Sequence, residues 1–200
     1  SYHADTGPVV VWDAHHVTLE NLEIIGTLLP MHFDNHNGIR INNSDYTVVR
    51  NNIIHGFNVL DPNPVNNPQN SAAIMTYFTN NLLFENNLIY DSFAGFFSKG
   101  GSNTNHTMRL NVIRNSAKAF RVSFTSNVRF YQNIIENCDL AFQPAEGISD
   151  IGFFNNTIIG GTSGVDNWFP SNDFSVYNNI FVNSQKPYFL AQKDFRKYNF

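Results

Sequence analysis

The chain has 200 residues and a formal net charge of −4, and only 14% of its side chains are charged. Its basic residues are interspersed with acidic ones, which argues against a nucleic-acid-binding surface. No apolar run approaches the roughly 18 residues of a membrane span, and the single cysteine, Cys138, excludes an internal disulfide framework. Much of the polar composition comes from 31 Asn residues, and the residues suited to a core are 19 Phe with many Ile and Val.

One asparagine recurs through the chain in the pattern apolar-x-x-Asn-x-Ile/Phe. It occurs at Asn52, Asn87, Asn111, Asn133, Asn156 and Asn179, in steps of 35, 24, 22, 23 and 23 residues. Self-similarity at such a period indicates a solenoid. Residues 17–24 carry the same pattern with Leu22 in place of Asn, as is common in a terminal repeat.

A small residue followed by an apolar one marks a second position in each repeat. It is found at Gly38, Ala73, Gly95, Ala119, Ala141 and Gly164. Each repeat therefore holds three short strands: one before the Asn, one after it and one that starts at the small residue. Segments of three to five residues are too short for helices. We expect an all-β, right-handed, single-stranded parallel β-helix of about seven coils, with the Asn side chains in an internal ladder.

The position two residues before each Asn is expected to face outward. It is occupied in order by Glu20, Arg50, Glu85, Arg109, Tyr131, Phe154 and Tyr177. Opposite charges followed by aromatic rings are what neighbouring strands in register favour. This surface ladder supports the proposed register. We expect one domain over 1–200, standing alone or within a longer chain.

The repeats resemble the right-handed parallel β-helix superfamily, whose members include pectate lyases and other polysaccharide lyases. The resemblance is carried by VTLENLEI (17–24), TVVRNNII (47–54) and FFNNTII (153–159), and repeats of this type cover nearly the whole chain. The motifs are specific for the fold. For function they are weakly specific, because lyases, epimerases, hydrolases and phage adhesins share them.

Two repeats are longer than the others, with inserts at 27–37 and 57–71. Both fall in the same turn, directly before the strand that starts at the small residue. Inserts confined to one face of a solenoid usually mark its binding face. We therefore expect them to flank a groove on the outer face of that strand.

Alternation along that strand places a cluster of cationic and polar side chains in the groove: Arg40, Asn42, Tyr77, Phe97, Lys99, Arg121 and Ser123. In the resembled lyases this strand and its neighbouring loops bind the substrate, and a Lys or Arg acts as the base. Cleavage of a uronide by β-elimination needs a base for the C5 proton and a cation for the carboxylate. We expect Lys99 to be the base, because lysine loses its proton more readily than arginine when it is buried beside cations.

The other roles follow from the same chemistry. Arg121 and Arg40 are expected to hold the carboxylate, Tyr77 to protonate the leaving oxygen, and Asn42, Ser123, His36 and the exposed Phe97 to contact substrate. The resemblance also makes Ca²⁺ a candidate cofactor, with Asp34 and Asp61 as candidate ligands. However, no Asp-x-Asp or Glu-x-Glu pair lies on the groove strand, which weighs against a metal-dependent lyase.

The preferred hypothesis is a polysaccharide lyase that acts on an anionic, uronate-containing glycan. The alternatives are a non-catalytic glycan-binding or adhesin segment and a uronate epimerase. A hydrolase needs paired carboxylates, whereas the groove strand offers only Asp166. The chain begins at Ser1 rather than Met, which permits a removed signal peptide. We expect a secreted, cell-surface or periplasmic protein of bacterial type that contacts a polysaccharide and no nucleic acid.

Overall fold

The computed structural model describes residues 7–26, 36–57, 70–167, 169 and 173–190. The elements of this part of the chain are 22 β-strands, numbered here in chain order, which form three parallel sheets. Sheet 1 contains β1 (Val9–Trp12), β4 (Asn37–Asn42), β7 (Ala72–Tyr77), β10 (Ala94–Ser98), β13 (Lys118–Val122), β16 (Leu140–Pro144), β19 (Ser163–Asn167) and β22 (Lys186–Leu190). Sheet 2 contains β2 (Thr18–Glu20), β5 (Val48–Arg50), β8 (Leu83–Glu85), β11 (Asn103–Arg109), β14 (Thr125–Tyr131), β17 (Ser149–Phe154) and β20 (Phe174–Tyr177). Sheet 3 contains β3 (Glu23–Ile25), β6 (Ile53–His55), β9 (Leu88–Tyr90), β12 (Val112–Arg114), β15 (Ile134–Glu136), β18 (Thr157–Ile159) and β21 (Ile180–Val182).

Each coil passes through sheet 1, sheet 2 and sheet 3 and then returns to sheet 1 one level further on. The predicted parallel β-helix is therefore confirmed. Its interior is filled by the inward side chains of all three sheets, and rings such as Phe130, Phe142 and Phe153 are completely buried. The centroids of Phe142 and Phe153 lie 5.1 Å apart in a stacked pair. Within the described residues, no helix is long and apolar enough to cross a membrane.

The asparagine ladder runs through the corner between sheets 2 and 3. The side-chain oxygen of Asn111 accepts both the main-chain N–H and the side-chain N–H of Asn87, each at 3.0 Å. The same two bonds recur from Asn52 to Asn179. Leu22 joins only through its main chain, which donates to Asn52 Oδ1 at 3.0 Å. The ladder thus satisfies buried polar groups at a bend that has no regular strand pairing.

The small residue is the second residue of each sheet 1 strand from β4 to β19 rather than the first, and its size is explained by its position inside the coil. Gly95 and Ala119 each precede a buried Phe, and the strand pairing skips their position. A Cβ on Gly95 would lie 2.8 Å from the carbonyl oxygen of Ala119 and 2.9 Å from Ile113 Cγ2. Two consecutive residues therefore face the core here, and the first must be small.

The surface ladder on sheet 2 is also confirmed. Arg50 pairs with Glu20 at 2.6 Å, and Arg109 pairs with Glu85 at 2.7 Å. Farther along the same row, the rings of Tyr131, Phe154 and Tyr177 stack at centroid distances of 5.3 and 4.9 Å.

Both inserts leave and rejoin the helix at the corner between sheets 3 and 1. Before the inserts Ile25 pairs with His55, and after them Asn37 pairs with Ala72. The expected shared turn is therefore confirmed, although most residues of 27–37 and 57–71 lie outside the described residues.

Candidate functional site

The outer face of sheet 1 carries the predicted side chains in two rows. The first row aligns the register partners Val10, Arg40, Met75, Phe97, Arg121 and Gln143. The second row places Asn42 beside Tyr77, and main-chain hydrogen bonds place Lys99 and then Ser123 on the following coils. The outward positions that alternation predicts for Arg40, Phe97 and Arg121 lie in the first row, and those for Asn42, Tyr77, Lys99 and Ser123 lie in the second.

Three neighbouring side chains of the first row, Arg40, Met75 and Phe97, are covered, whereas Arg121 and Gln143 are half-buried and Val10 is exposed. Met75 is 0% exposed, Phe97 2% and Arg40 8%. Met75 and Phe97 form a second apolar cluster with Ala72, Phe93 and Ala94, outside the main core. The prediction of an exposed Phe97 was therefore wrong, because its ring packs into this cluster and lies under the Arg121 guanidinium.

A pocket of about 250 Å³ opens beside this cluster, where the strands of sheet 1 end. We call it the cationic pocket. It brings together four predicted site residues, Phe97, Lys99, Arg121 and Ser123. The other lining residues are Asn70, Gly100, Phe124, Ala145, Glu146 and Phe169.

Two cations share one aromatic ring in this pocket. The Arg121 guanidinium carbon lies 4.4 Å from the Phe97 centroid, and Lys99 Nζ lies 5.8 Å from it. Lys99 Nζ also donates a hydrogen bond to Asn70 Oδ1, so the end of the second insert reaches the pocket. Burial lowers the pKa of Arg121, but an arginine remains charged at neutral pH. Two cations beside an apolar floor are suited to hold a carboxylate.

Arg40, Asn42 and Tyr77 form a neighbouring group that does not line the pocket. Arg40 Nε donates to Asn42 Oδ1 at 3.2 Å, and the Arg40 guanidinium carbon lies 4.7 Å from the Tyr77 centroid. Tyr77 nevertheless adjoins the pocket, because a Cβ on Gly100 would lie 3.1 Å from Tyr77 Cδ1. Ser123 is 6% exposed, and its hydroxyl donates to the Ser98 carbonyl at 3.4 Å.

His36 lies apart from the pocket lining. It is 9% exposed, and its ring packs against Phe57 with a centroid distance of 4.9 Å. Burial lowers its pKa, which favours the neutral ring. The candidate calcium ligands Asp34 and Asp61 lie outside the described residues. Elsewhere in the described chain, no three His, Cys, Asp or Glu side chains are grouped as a metal site would require.

Lys118 is a half-buried cation beside the site, and the sequence did not point to it. Its amine lies 4.9 Å from the Phe93 centroid, next to the cluster that holds Phe97. Burial, reinforced by the nearby Arg121 cation, lowers the pKa of Lys118 to about 8, while Asp166 acts in the opposite direction. Lys118 precedes Ala119, and counting outward positions only from the small residue onward passes over it.

The family model of the right-handed β-helix region matches residues 3–181, and the chain therefore belongs to the right-handed β-helix family. Solved structures with this fold include a hyperthermoactive exopolygalacturonase from Thermotoga maritima. It matches with a TM-score of 0.70 at 17% identity, over 90% of this chain and 45% of its own. PfbA, a surface adhesin of Streptococcus pneumoniae, matches with a TM-score of 0.52 at 13% identity, over 92% of this chain and 59% of its own.

The chain therefore spans less than two thirds of either of these proteins. An alginate lyase from a Paenibacillus species matches more weakly, with a TM-score of 0.35 at 11% identity, over 90% of this chain and 88% of its own. No match is found among curated protein sequences. At these identities the structural likeness concerns the fold alone.

Proposed function

We propose that the chain binds an anionic, uronate-containing glycan in the cationic pocket and cleaves it by β-elimination. The observation that supports this most directly is that Lys99 and Arg121 line one pocket and share the Phe97 ring. A pocket of about 250 Å³ is smaller than the usual range for drug-sized ligands, and it suits one sugar unit of a longer chain.

In the proposed reaction, Arg121 holds the carboxylate and stabilises the charge that develops when the neighbouring C5–H bond breaks. Lys99 acts as the base and takes the C5 proton. The electron pair forms the C4–C5 double bond while the C4–O bond breaks, and the Tyr77 hydroxyl gives its proton to the leaving oxygen. Arg40 and Asn42 then contact the sugar unit beside Tyr77, and Ser123 contacts the unit in the pocket.

Glycan binding without cleavage is the second candidate function. It is favoured by the position of Tyr77, which adjoins the pocket through Gly100 but does not line it. Without a proton donor on the leaving oxygen, the same cations would bind the glycan and leave it intact. A uronate epimerase would use Lys99 in the same way but would return the proton to C5. Hydrolysis is less well supported, because Glu146 is the one carboxylate among the described lining residues and hydrolysis ordinarily uses two.

The test is the appearance of unsaturated uronide products, which absorb in the ultraviolet, during incubation with polyuronates. Lys99→Ala is expected to abolish product formation. Lys99→Arg is the matched control for charge, since arginine keeps the cation and gives up its proton far less readily than lysine. We expect Lys99→Arg to bind the polymer within a fewfold of the parent chain and to form no product.

Binding without product in the parent chain would overturn the lyase and support the second candidate. Isotope exchange at C5 without cleavage would indicate an epimerase. Activity that survives in Lys99→Arg would remove Lys99 from the role of base. Repeating the assay with a chelator and with added Ca²⁺ tests the calcium proposal. Because the substrate is an extracellular type of polymer, we also propose a secreted, cell-surface or periplasmic location.

A further inference from the structure

A second cleft lies beside the cationic pocket, at the corner where each coil passes from sheet 1 to sheet 2. It has a volume of about 390 Å³ and is lined by Gly101, Ser102, Asn103, Phe124, Thr125, Ser126, Gly147 and Ser149. We call it the corner cleft. Phe124 lines both the corner cleft and the cationic pocket, so the two are adjacent.

The corner cleft arises from unequal connections between two sheets that stay in register. The register partners Thr76, Ser98, Val122 and Pro144 mark the same level of sheet 1 on four successive coils. From this level to the matching level of sheet 2 the connecting stretches contain two, four, two and three residues, at 77–78, 99–102, 123–124 and 145–147. The short connection 123–124 lies between two longer ones. Its neighbours therefore form two walls, and Phe124 forms the floor between them.

Phe124 is held at this floor in an unusual way for a large side chain. It is 46% exposed and has a φ of 49°, in the left-handed region that is costly for bulky residues. Asp13 and Asn43, at the same corner of earlier coils, have similar φ values of 49° and 46° but are residue types that tolerate them. The chain thus keeps a strained, exposed aromatic ring where a small polar residue would fold more easily.

A glycine fixes the ring in place. A Cβ on Gly147 would lie only 2.6 Å from Phe124 Cδ1, so the ring rests directly on the Gly147 backbone. Gly147 itself has a φ of 68°, which suits glycine and strains other residues. The result is a fixed aromatic platform with one face open to the cleft.

The chemistry of the corner cleft differs from that of the cationic pocket. Every described residue that lines it is uncharged. Thr125 Oγ1 and Asn103 Oδ1 are engaged with Ser123 and Thr79, at 2.7 and 3.0 Å. Ser102 and Ser149 are exposed, and within the described residues their hydroxyls have no protein partner. An aromatic face with free hydroxyls at its rim suits the apolar face and hydroxyl groups of an uncharged pyranose ring.

We propose that the corner cleft is a second glycan subsite, which takes an uncharged sugar unit linked to the anionic unit in the cationic pocket. This proposal rests on the proposed function and narrows it. The preferred substrate is a mixed polysaccharide in which a uronate is next to a neutral sugar, rather than a polymer of uronate alone.

The test compares binding to a polyuronate with binding to the same polymer after about half of its carboxylates have been reduced to primary alcohols. Affinities are measured with the Lys99→Arg variant, which is expected to bind the polymer without cleaving it. We expect tighter binding to the partly reduced polymer. Adding Phe124→Leu, which keeps the apolar bulk but removes the ring face, should weaken that binding about fivefold, whereas Phe124→Tyr should retain it.

Tyr46→Leu is the control, because Tyr46 is also an exposed aromatic residue, has a φ of 55° and lies in a connection between sheets 1 and 2, but lines neither cavity. Equal effects of Tyr46→Leu and Phe124→Leu would overturn the subsite, as would tighter binding to the unreduced polymer. In that last case the proposed binding of a uronate in the cationic pocket would still stand. If a fully reduced polymer binds as tightly as the partly reduced one, and if its binding depends on Phe124 but not on Arg121, the result would support the subsite and refute the cationic pocket. Failure to bind any of the polymers would overturn both.

Discussion

Lys118 shows how burial changes the chemistry of a single residue beside the cationic pocket. Its amine lies over the Phe93 ring, and the nearby Arg121 cation repels the charged form of the amine. Both effects disfavour the charged amine and bring the pKa to about 8, against an ordinary value of 10.5. A lysine with such a pKa exchanges its proton within the range where the proposed elimination would operate.

The lowered pKa of Lys118 predicts the pH dependence of stability. Between about pH 8 and 10.5 the unfolded chain holds a proton on this amine that the folded chain has lost. Stability therefore rises with pH through that window, and the full penalty of burying the charge applies below pH 8. We expect Lys118→Met to be more stable than the parent at pH 7, by up to about 3 kcal/mol. Its advantage should shrink to almost nothing near pH 10.5.

Denaturant unfolding of both proteins at several pH values measures this difference. Lys186→Met is the matched control, because Lys186 is exposed and lies in the same row of sheet 1, reached from Lys118 through Leu140 and Ser163. It should show little advantage at any pH. An advantage of Lys118→Met that does not change with pH would indicate better packing rather than the removal of a buried charge.

Each asparagine of the ladder is one rung between two coils, and its burial predicts how much that rung contributes to stability. Asn111 is 2% exposed, accepts two hydrogen bonds from Asn87 and donates one each to Asn133 Oδ1 and the Phe84 carbonyl, at 3.0 and 3.1 Å. Asn111→Leu would leave buried donors and acceptors unpaired, and it should reduce the free energy of unfolding by about 3–5 kcal/mol. Asn179→Leu, at a half-buried rung, should cost about 1–2 kcal/mol.

Denaturant unfolding of the two variants gives both values. Leu22 supports the expected order, because an apolar side chain already stands at the first rung, where it is 38% exposed and only its main-chain N–H joins the ladder. A cost for Asn111→Leu that equals the cost for Asn179→Leu would mean that the buried hydrogen bonds contribute no more than the exposed ones.

The asparagine spacing also explains how much of the structure the sequence predicts. A buried amide at every coil must meet its counterpart on the next coil, so the ladder determines both the fold and the register of all three sheets. The steps of 24, 22 and 23 residues from Asn87 to Asn156 also vary in parallel with the lengths of the connections that form the corner cleft, which are four, two and three residues. Long inserts are conspicuous in a sequence, whereas differences of one or two residues are not.

The pocket was only partly predictable, for a physical reason. Strand alternation identifies which side chains face outward, and it correctly grouped Lys99, Arg121 and Ser123. It does not say which outward side chains are covered, because burial of Phe97 depends on residues from neighbouring coils. Glu146 and Phe169 reach the pocket from connections whose path no periodic pattern describes.

At the scale of the whole molecule, the net charge of −4 should repel a polyanion, whereas the cationic pocket should attract one. The local field decides the outcome, since charges are screened beyond about 8–10 Å at physiological ionic strength.

Arg121→Gln and Arg129→Gln each change the net charge from −4 to −5 (−4 − 1 = −5). Arg129 lies on sheet 2, where it forms an exposed pair with Asp150 at 2.9 Å. We expect Arg121→Gln to weaken polyuronate binding at least tenfold and Arg129→Gln to change it less than about twofold. Titration at low and moderate salt measures both affinities, and the parent's salt dependence should persist in Arg129→Gln but diminish in Arg121→Gln. Equal losses in the two variants would show that overall charge, and not the cationic pocket, governs the encounter with the polymer.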